Sequence, residues 1–160
     1  MLSSGTALVE ISGGTFSGGG NAGGSSIVNI RGGEFGRYDA SSFATFNIFG
    51  GTLLGGVQTS GSAEVNFFGG DIIGPGLIFA GNTAVITFFG SGFNFPFGDI
   101  VATSGILTGT LSDGTPLDVD FVRDPSGTIT LPEPTALAAL GSGIAMLALL
   151  YRRRPHSVKR

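Results

Sequence analysis

Few side chains in this sequence can carry covalent or metal chemistry. Cysteine is absent and the single histidine is His156, near the C-terminus. A histidine-based triad or a multi-histidine metal site therefore cannot be assembled, and neither can a thiolate site. That leaves carboxylates. Glu34, Asp39 and Asp71, with Arg37, are among the charges that fall near the repeating part of the chain. If the repeats stack, Glu34 and Asp71 share a face two coils apart, about 9.6 Å at the usual strand spacing. That is slightly too far for an inverting glycosidase pair, and both read better as solvated corner residues. Asp113, Asp118, Asp120 and Asp124 fit neither an EF-hand loop nor a calcium-binding nonapeptide repeat, and read as turn acids. The triple glycine Gly18–Gly20 lacks the Lys-Ser/Thr of a phosphate loop. No cofactor is expected.

The elements that would position these residues follow from a repeat. Val9-Glu10-Ile11-Ser12-Gly13-Gly14 returns at Val28–Gly33, Phe46–Gly51 and Val65–Gly70, and in degraded form at Ile86–Ser91. The first glycines stand at 13, 32, 50, 69 and 90. Apolar residues four and two places before each glycine alternate as in a half-buried strand. Another apolar residue follows three places after it: Phe16, Phe35, Leu53, Ile72 and Phe93. Each unit reads as a strand, a Gly-Gly corner, a short second strand and a Gly/Ser/Asn-rich loop. A unit this short cannot bury its own apolar face, but stacked units bury their faces as one ladder. The reading is therefore a mainly β protein: a parallel β-helix or β-solenoid of about five coils over residues 1–93. An antiparallel meander or sandwich is the alternative. Residues 94–131 lose the repeat and read as a β meander capping the open end.

Composition agrees. The 160 residues include 30 glycines and 14 phenylalanines, and only 12% are charged. That glycine content opposes helix, and the aromatic content opposes disorder. Asn29, Asn47 and Asn66 share one repeat position and should form an amide ladder. Phe49, Phe68 and Phe89 share another, and form a candidate partner stripe if they face outward.

Residues 132–160 change character. Pro132-Glu133-Pro134 opens the segment, Thr135–Tyr151 is 17 residues without charge, and Arg152-Arg153-Arg154 follows. As a helix the apolar run spans about 26 Å, the short end of what crosses a bilayer. The arginines should stay cytoplasmic, which places the β body outside. Residues 1–131 carry a net charge of −7 and residues 132–160 a net +4. So acidic a body argues against nucleic acid as a partner, whereas the basic cluster beside an apolar run points to a membrane.

Pro-Glu-Pro, apolar helix and arginine cluster, in that order near the C-terminus, resemble the PEP-CTERM sorting signal of exported bacterial proteins. The resemblance covers residues 132–154 and leaves 155–160 as a basic cytoplasmic tail. It implies that Pro132, Glu133 and Pro134 are the motif read by an exosortase, a membrane transpeptidase. It implies that Thr135–Tyr151 is a transient membrane helix and Arg152, Arg153 and Arg154 its stop-transfer group. Such substrates begin with a secretory signal peptide, basic then apolar. Met1–Thr6 has neither character, so the expectation is that the export-competent start lies upstream. Together these readings give a non-enzymatic, exported surface or matrix protein, membrane-anchored before processing, with the cell surface or the medium as its destination. An extracellular polysaccharide is a candidate partner. The alternatives are a carbohydrate-active β-helix enzyme or a degenerate relative, and an adhesin using the Phe49–Phe68–Phe89 stripe.

Overall fold

A computed structural model describes residues 2–3, 5–73 and 76–133. Every regular element among them is a β-strand. β1 (Leu2–Ser3) precedes four complete coils of three strands each. The first coil is β2 (Leu8–Ile11), β3 (Thr15–Phe16) and β4 (Gly20–Ala22). The second is β5 (Ile27–Ile30), β6 (Glu34–Phe35) and β7 (Tyr38–Ala40). The third is β8 (Thr45–Ile48), β9 (Thr52–Leu53) and β10 (Val57–Thr59). The fourth is β11 (Glu64–Phe67), β12 (Asp71–Ile72) and β13 (Leu77–Ala80). Corresponding strands pair in parallel and in register, so the coils wind a three-sided β-solenoid.

The solenoid has about four turns, not about five. The fifth repeat supplies β14 (Val85–Phe88), parallel to β11, and then leaves the path. Its corner is Gly90-Ser91 where the others have Gly-Gly, and β15 (Gly90–Ser91) pairs antiparallel with a later strand. A Cβ at Gly90 would stand 2.0 Å from the Thr110 carbonyl oxygen, so that crossing needs a glycine. β16 (Gly98–Asp99) follows, then the hairpin of β17 (Ser104–Leu111) and β18 (Pro116–Arg123), then β19 (Thr128–Leu131). β18 lies parallel on β13 and β19 parallel on β14. The excursion thus returns to two of the three sides and extends their ladders. The apolar run Thr135–Tyr151, expected as a membrane helix, lies outside the described residues. No helix among the described residues is long and apolar enough to cross a membrane.

The interior is built from like side chains stacked in rows. Ile30, Ile48, Phe67 and Phe88 are successive partners on one side, all with no exposed surface. Phe35 and Leu53 form a second row, with half-buried Phe16 below and Ile72 above. Tyr38, Val57, Ile78 and Phe121 form the third. That third side was not expected from the sequence, which reads there as loop. The physical reason is that the other inward positions of its strands are small: Ala22, Ala40, Thr59 and Ala80. In β4, β7 and β10 at most one residue of the three is large and apolar, which leaves no alternation to see.

Candidate functional site

The corner after the first side carries the outward features. Asn47 Nδ2 donates to Asn29 Oδ1 at 2.8 Å, and Asn66 Nδ2 to Asn47 Oδ1 at 3.0 Å. Asn29 Nδ2 in turn donates to Glu10 Oε1. The expected amide ladder is therefore present and ends on a carboxylate. Arg31 Nε lies 3.7 Å from Glu10 Oε2. Its guanidinium stands 4.6 Å from the centroid of the Phe49 ring, within cation–π range.

From Phe49 an aromatic column runs along the axis. Phe49 and Phe68 stack at 4.9 Å and 9°, and Phe68 and Phe89 at 4.3 Å and 10°. The column reaches the surface, with Phe49 36% exposed and Phe68 and Phe89 half-buried. Its chemistry differs from a row of free aromatic platforms. The faces between successive rings are turned to one another, and Arg31 lies over Phe49. What the column offers outward is ring edges, whose positive rim prefers electron-rich atoms.

The tip of the β17–β18 hairpin sits beside this column. Ser112 N–H donates to the Phe89 carbonyl and Asp113 N–H to the Phe68 carbonyl, at 2.9 and 3.1 Å. Asp113 Oδ2 accepts from Gly70 N–H at 3.0 Å, and its Oδ1 from Thr115 N–H at 2.9 Å. Partial burial pushes the Asp113 carboxyl up, but the bonds from Thr115 and Gly70 outweigh it and hold it below the ordinary range. Asp124 plays a similar part, accepting from Asn82 N–H at 3.2 Å. Arg123 ties the same end together. Its guanidinium donates to the carbonyls of Val101, Ala102 and Gly127 at 2.7 to 3.0 Å. From the sequence alone the two aspartates read as solvated turn acids and Arg123 has no role. Their partners lie up to 43 residues away, and no local pattern reports them.

Glu34 and Asp71 occupy the second side. Glu34 pairs in register with Thr52, and Thr52 with Asp71, so a threonine rung separates the two acids. Both are exposed. Arg37 is on neither rung. Its guanidinium bonds Asp39 Oδ1 at 2.7 Å and reaches Gln58 Oε1, on the outer face of the third side. The structure thus brings Arg37 to Asp39 but not to Glu34 or Asp71.

Among the described residues, one side-chain polar group is buried without a partner. Tyr38 is 2% exposed, and its hydroxyl makes no hydrogen bond. Burial raises its pKa well above the ordinary phenol value. The ring leans over Gly20 of the coil below, where a Cβ would stand 2.7 Å from Tyr38 Cε1. The glycine leaves the space that the tyrosine fills.

The chain leaves the body at the same end as the hairpin. Leu131, the last residue of β19, is fully buried; Pro132 is half-buried and Glu133 exposed. Pro132 borders an open cleft that also meets Phe89, Leu111 and Ser112. Pro134 of the expected sorting motif, and Arg152, Arg153 and Arg154 of the expected stop-transfer group, lie outside the described residues. No family model, curated protein or solved structure matches the chain.

Proposed function

We propose that this chain is an exported, non-enzymatic surface or matrix protein. A β-solenoid body is delivered by a C-terminal sorting signal and held at the membrane until an exosortase-type enzyme processes it. The observation that carries this reading is the order of elements after Leu131: Pro132-Glu133-Pro134, then 17 uncharged residues, then Arg152–Arg154. The tripeptide begins where the last ladder strand stops, so three residues join body to apolar segment. Fully extended, they reach about 10 Å. On this reading the body rides close above the outer membrane surface, with Glu133 as the one charged group between them.

The separation of Glu34 from Asp71 by Thr52, and of both from Arg37, supports a non-catalytic body. Stacked rows of apolar side chains support a structural one, since the repeat builds a continuous core along one axis. The aromatic column keeps a second reading in view, an adhesin, with ring edges and the Arg31 guanidinium as its contact surface.

The test is processing. With a working signal peptide added, in a host that has an exosortase, the parent is expected to lose its C-terminal segment. Glu133→Ala is expected to insert normally and stay uncleaved, the two forms being separated by mass. Equal processing of parent and variant would remove the sorting reading and leave a plain C-terminal anchor.

A further inference from the structure

The excursion after β14 forms the uppermost layer of the solenoid. β16 is the end strand of one sheet, and β17 lies beyond β18 in another. Three large apolar residues of this layer are exposed: Phe97 at 44%, Val101 at 87%, and Ile106. Their backbone is nonetheless pinned. Asn94 clamps the segment before Phe97 to β17. Its N–H donates to the Thr108 carbonyl at 3.1 Å and its Nδ2 to the Ile106 carbonyl at 2.9 Å, while its Oδ1 accepts from Thr108 N–H at 2.8 Å. Phe93 occupies the space that Gly109 leaves, where a Cβ would run into its ring. Phe97 meets Phe93 edge-on at 6.5 Å, and Phe95 packs on the buried ring of Phe121 at 5.6 Å. Past β16, Ile100 is buried and its N–H donates to the Ile129 carbonyl at 2.8 Å. The Val101 carbonyl accepts from Arg123 at 2.7 Å. Phe97 and Val101 are thus held at the surface by bonds on either side of them.

We propose that this rim of the capped end is a membrane-contact surface, with Phe97 and Val101 seated in the headgroup region of the bilayer that carries the tail. The proposal rests on the sorting-signal reading of residues 132–154. Its geometric support is the point of exit. Gly98 pairs with Leu131, so Phe97 stands next to Pro132, where the chain leaves the ladder. The tripeptide from Pro132 to Pro134 reaches about 10 Å when extended, and the uncharged run starts at Thr135. On that reading the surface around the exit is held against the bilayer, and Phe97 and Val101 flank the strand at that exit. Exposed apolar residues on a fixed backbone mark contact sites, and Phe is among the side chains that peripheral faces bury at the boundary of headgroups and acyl chains. Asp99, exposed between the two, bars deeper entry, since a carboxylate in hydrocarbon is costly. The seating is therefore shallow. Phe43 provides the contrast. It is 68% exposed but lies on the corner before β8, four strand spacings below β16, about 19 Å along the axis.

The sequence has no tryptophan, so a single introduced indole reports its own surroundings. The full chain is reconstituted in phosphatidylcholine vesicles, and in a matched set whose acyl chains carry bromine as a quencher. Phe97→Trp is expected to lose most of its emission in the brominated set, and Phe43→Trp almost none. Val101→Trp, at the most exposed of these positions, should behave like Phe97→Trp and takes its place if that variant does not fold. The proposal is overturned if the chain floats with the vesicles but positions 97 and 101 are quenched no more than position 43. It is overturned as well if emission at 97 shifts to shorter wavelength without quenching, which would mean that the chain's own apolar run covers the rim. Either result leaves the membrane reading of the tail intact. A chain that does not float with the vesicles at all would remove that reading, and the rim proposal with it.

Discussion

Gly70 and Gly13 are both corner glycines of the same repeat, yet they differ in what they must do. Gly70 has φ of +97° and packs so tightly on the coil below that a Cβ would stand 2.9 Å from the Gly51 carbonyl oxygen. Gly33 and Gly51 share both features, with φ of +108° and +100° and the same close approach to a carbonyl of the preceding coil. The second glycine of these three pairs is thus fixed twice over, by backbone conformation and by stacking distance. Gly13 belongs to the lowest coil; a Cβ there meets nothing within 4 Å, and its φ is not positive. Gly70→Ala should therefore destabilise the body by about 1–3 kcal/mol, while Gly13→Ala should leave it nearly unchanged. Denaturant unfolding of the two variants measures the difference. Equal effects would mean that the repeat's glycines report composition rather than corner geometry.

At the scale of the element, one carboxylate, Asp113, ties the tip of the C-terminal hairpin to the corner of the fourth coil. Asp113 has a folded-state pKa below its ordinary 3.8. A depressed carboxylate contributes stability that is present above the unfolded value and lost as pH falls through the folded one. The hairpin tip should accordingly loosen below about pH 4. Amide exchange at Gly70 and Thr115 should accelerate there relative to the rest of the solenoid, and Asp113→Asn should remove most of that pH dependence. Exchange that rises with acid equally in parent and variant would assign the effect to other carboxylates. This element also marks how far the sequence could be read. The two sides that carry Val28/Ile30 and Phe35 announce themselves by apolar residues at fixed distances from Gly32. The third side, with Ala40 and Ala80 inward, has too little apolar contrast to show as strands. Its corner has a period of its own, visible once known: the residues with positive φ there are Gly5, Gly24, Ser42, Gly61 and Asn82, and they track the Gly-Gly spacing. Contacts such as Asp113 to Gly70 join a non-repeating segment to a repeating one, and nothing in either segment alone encodes them.

For the whole molecule, body and tail make separate demands that meet at Leu131. The solenoid stacks rows of apolar side chains and closes its C-terminal end with a cap; the segment after the cap carries the expected address. On the proposed reading the acidic body lies outside the cytoplasm and the arginines stay within it, since translocating Arg152–Arg154 is costly. The most direct measurement of that arrangement uses the cysteine-free chain with a signal peptide added, in a host lacking the processing enzyme so that the tail is retained. Single thiols are placed at Ser126→Cys in the body and Ser157→Cys beyond the arginines, and spheroplasts are treated with a membrane-impermeant thiol reagent. The expected result is labelling at position 126 and protection at 157 until the membrane is opened. Labelling of both positions in sealed spheroplasts, or protection of both, would contradict an exported body held by a C-terminal membrane segment.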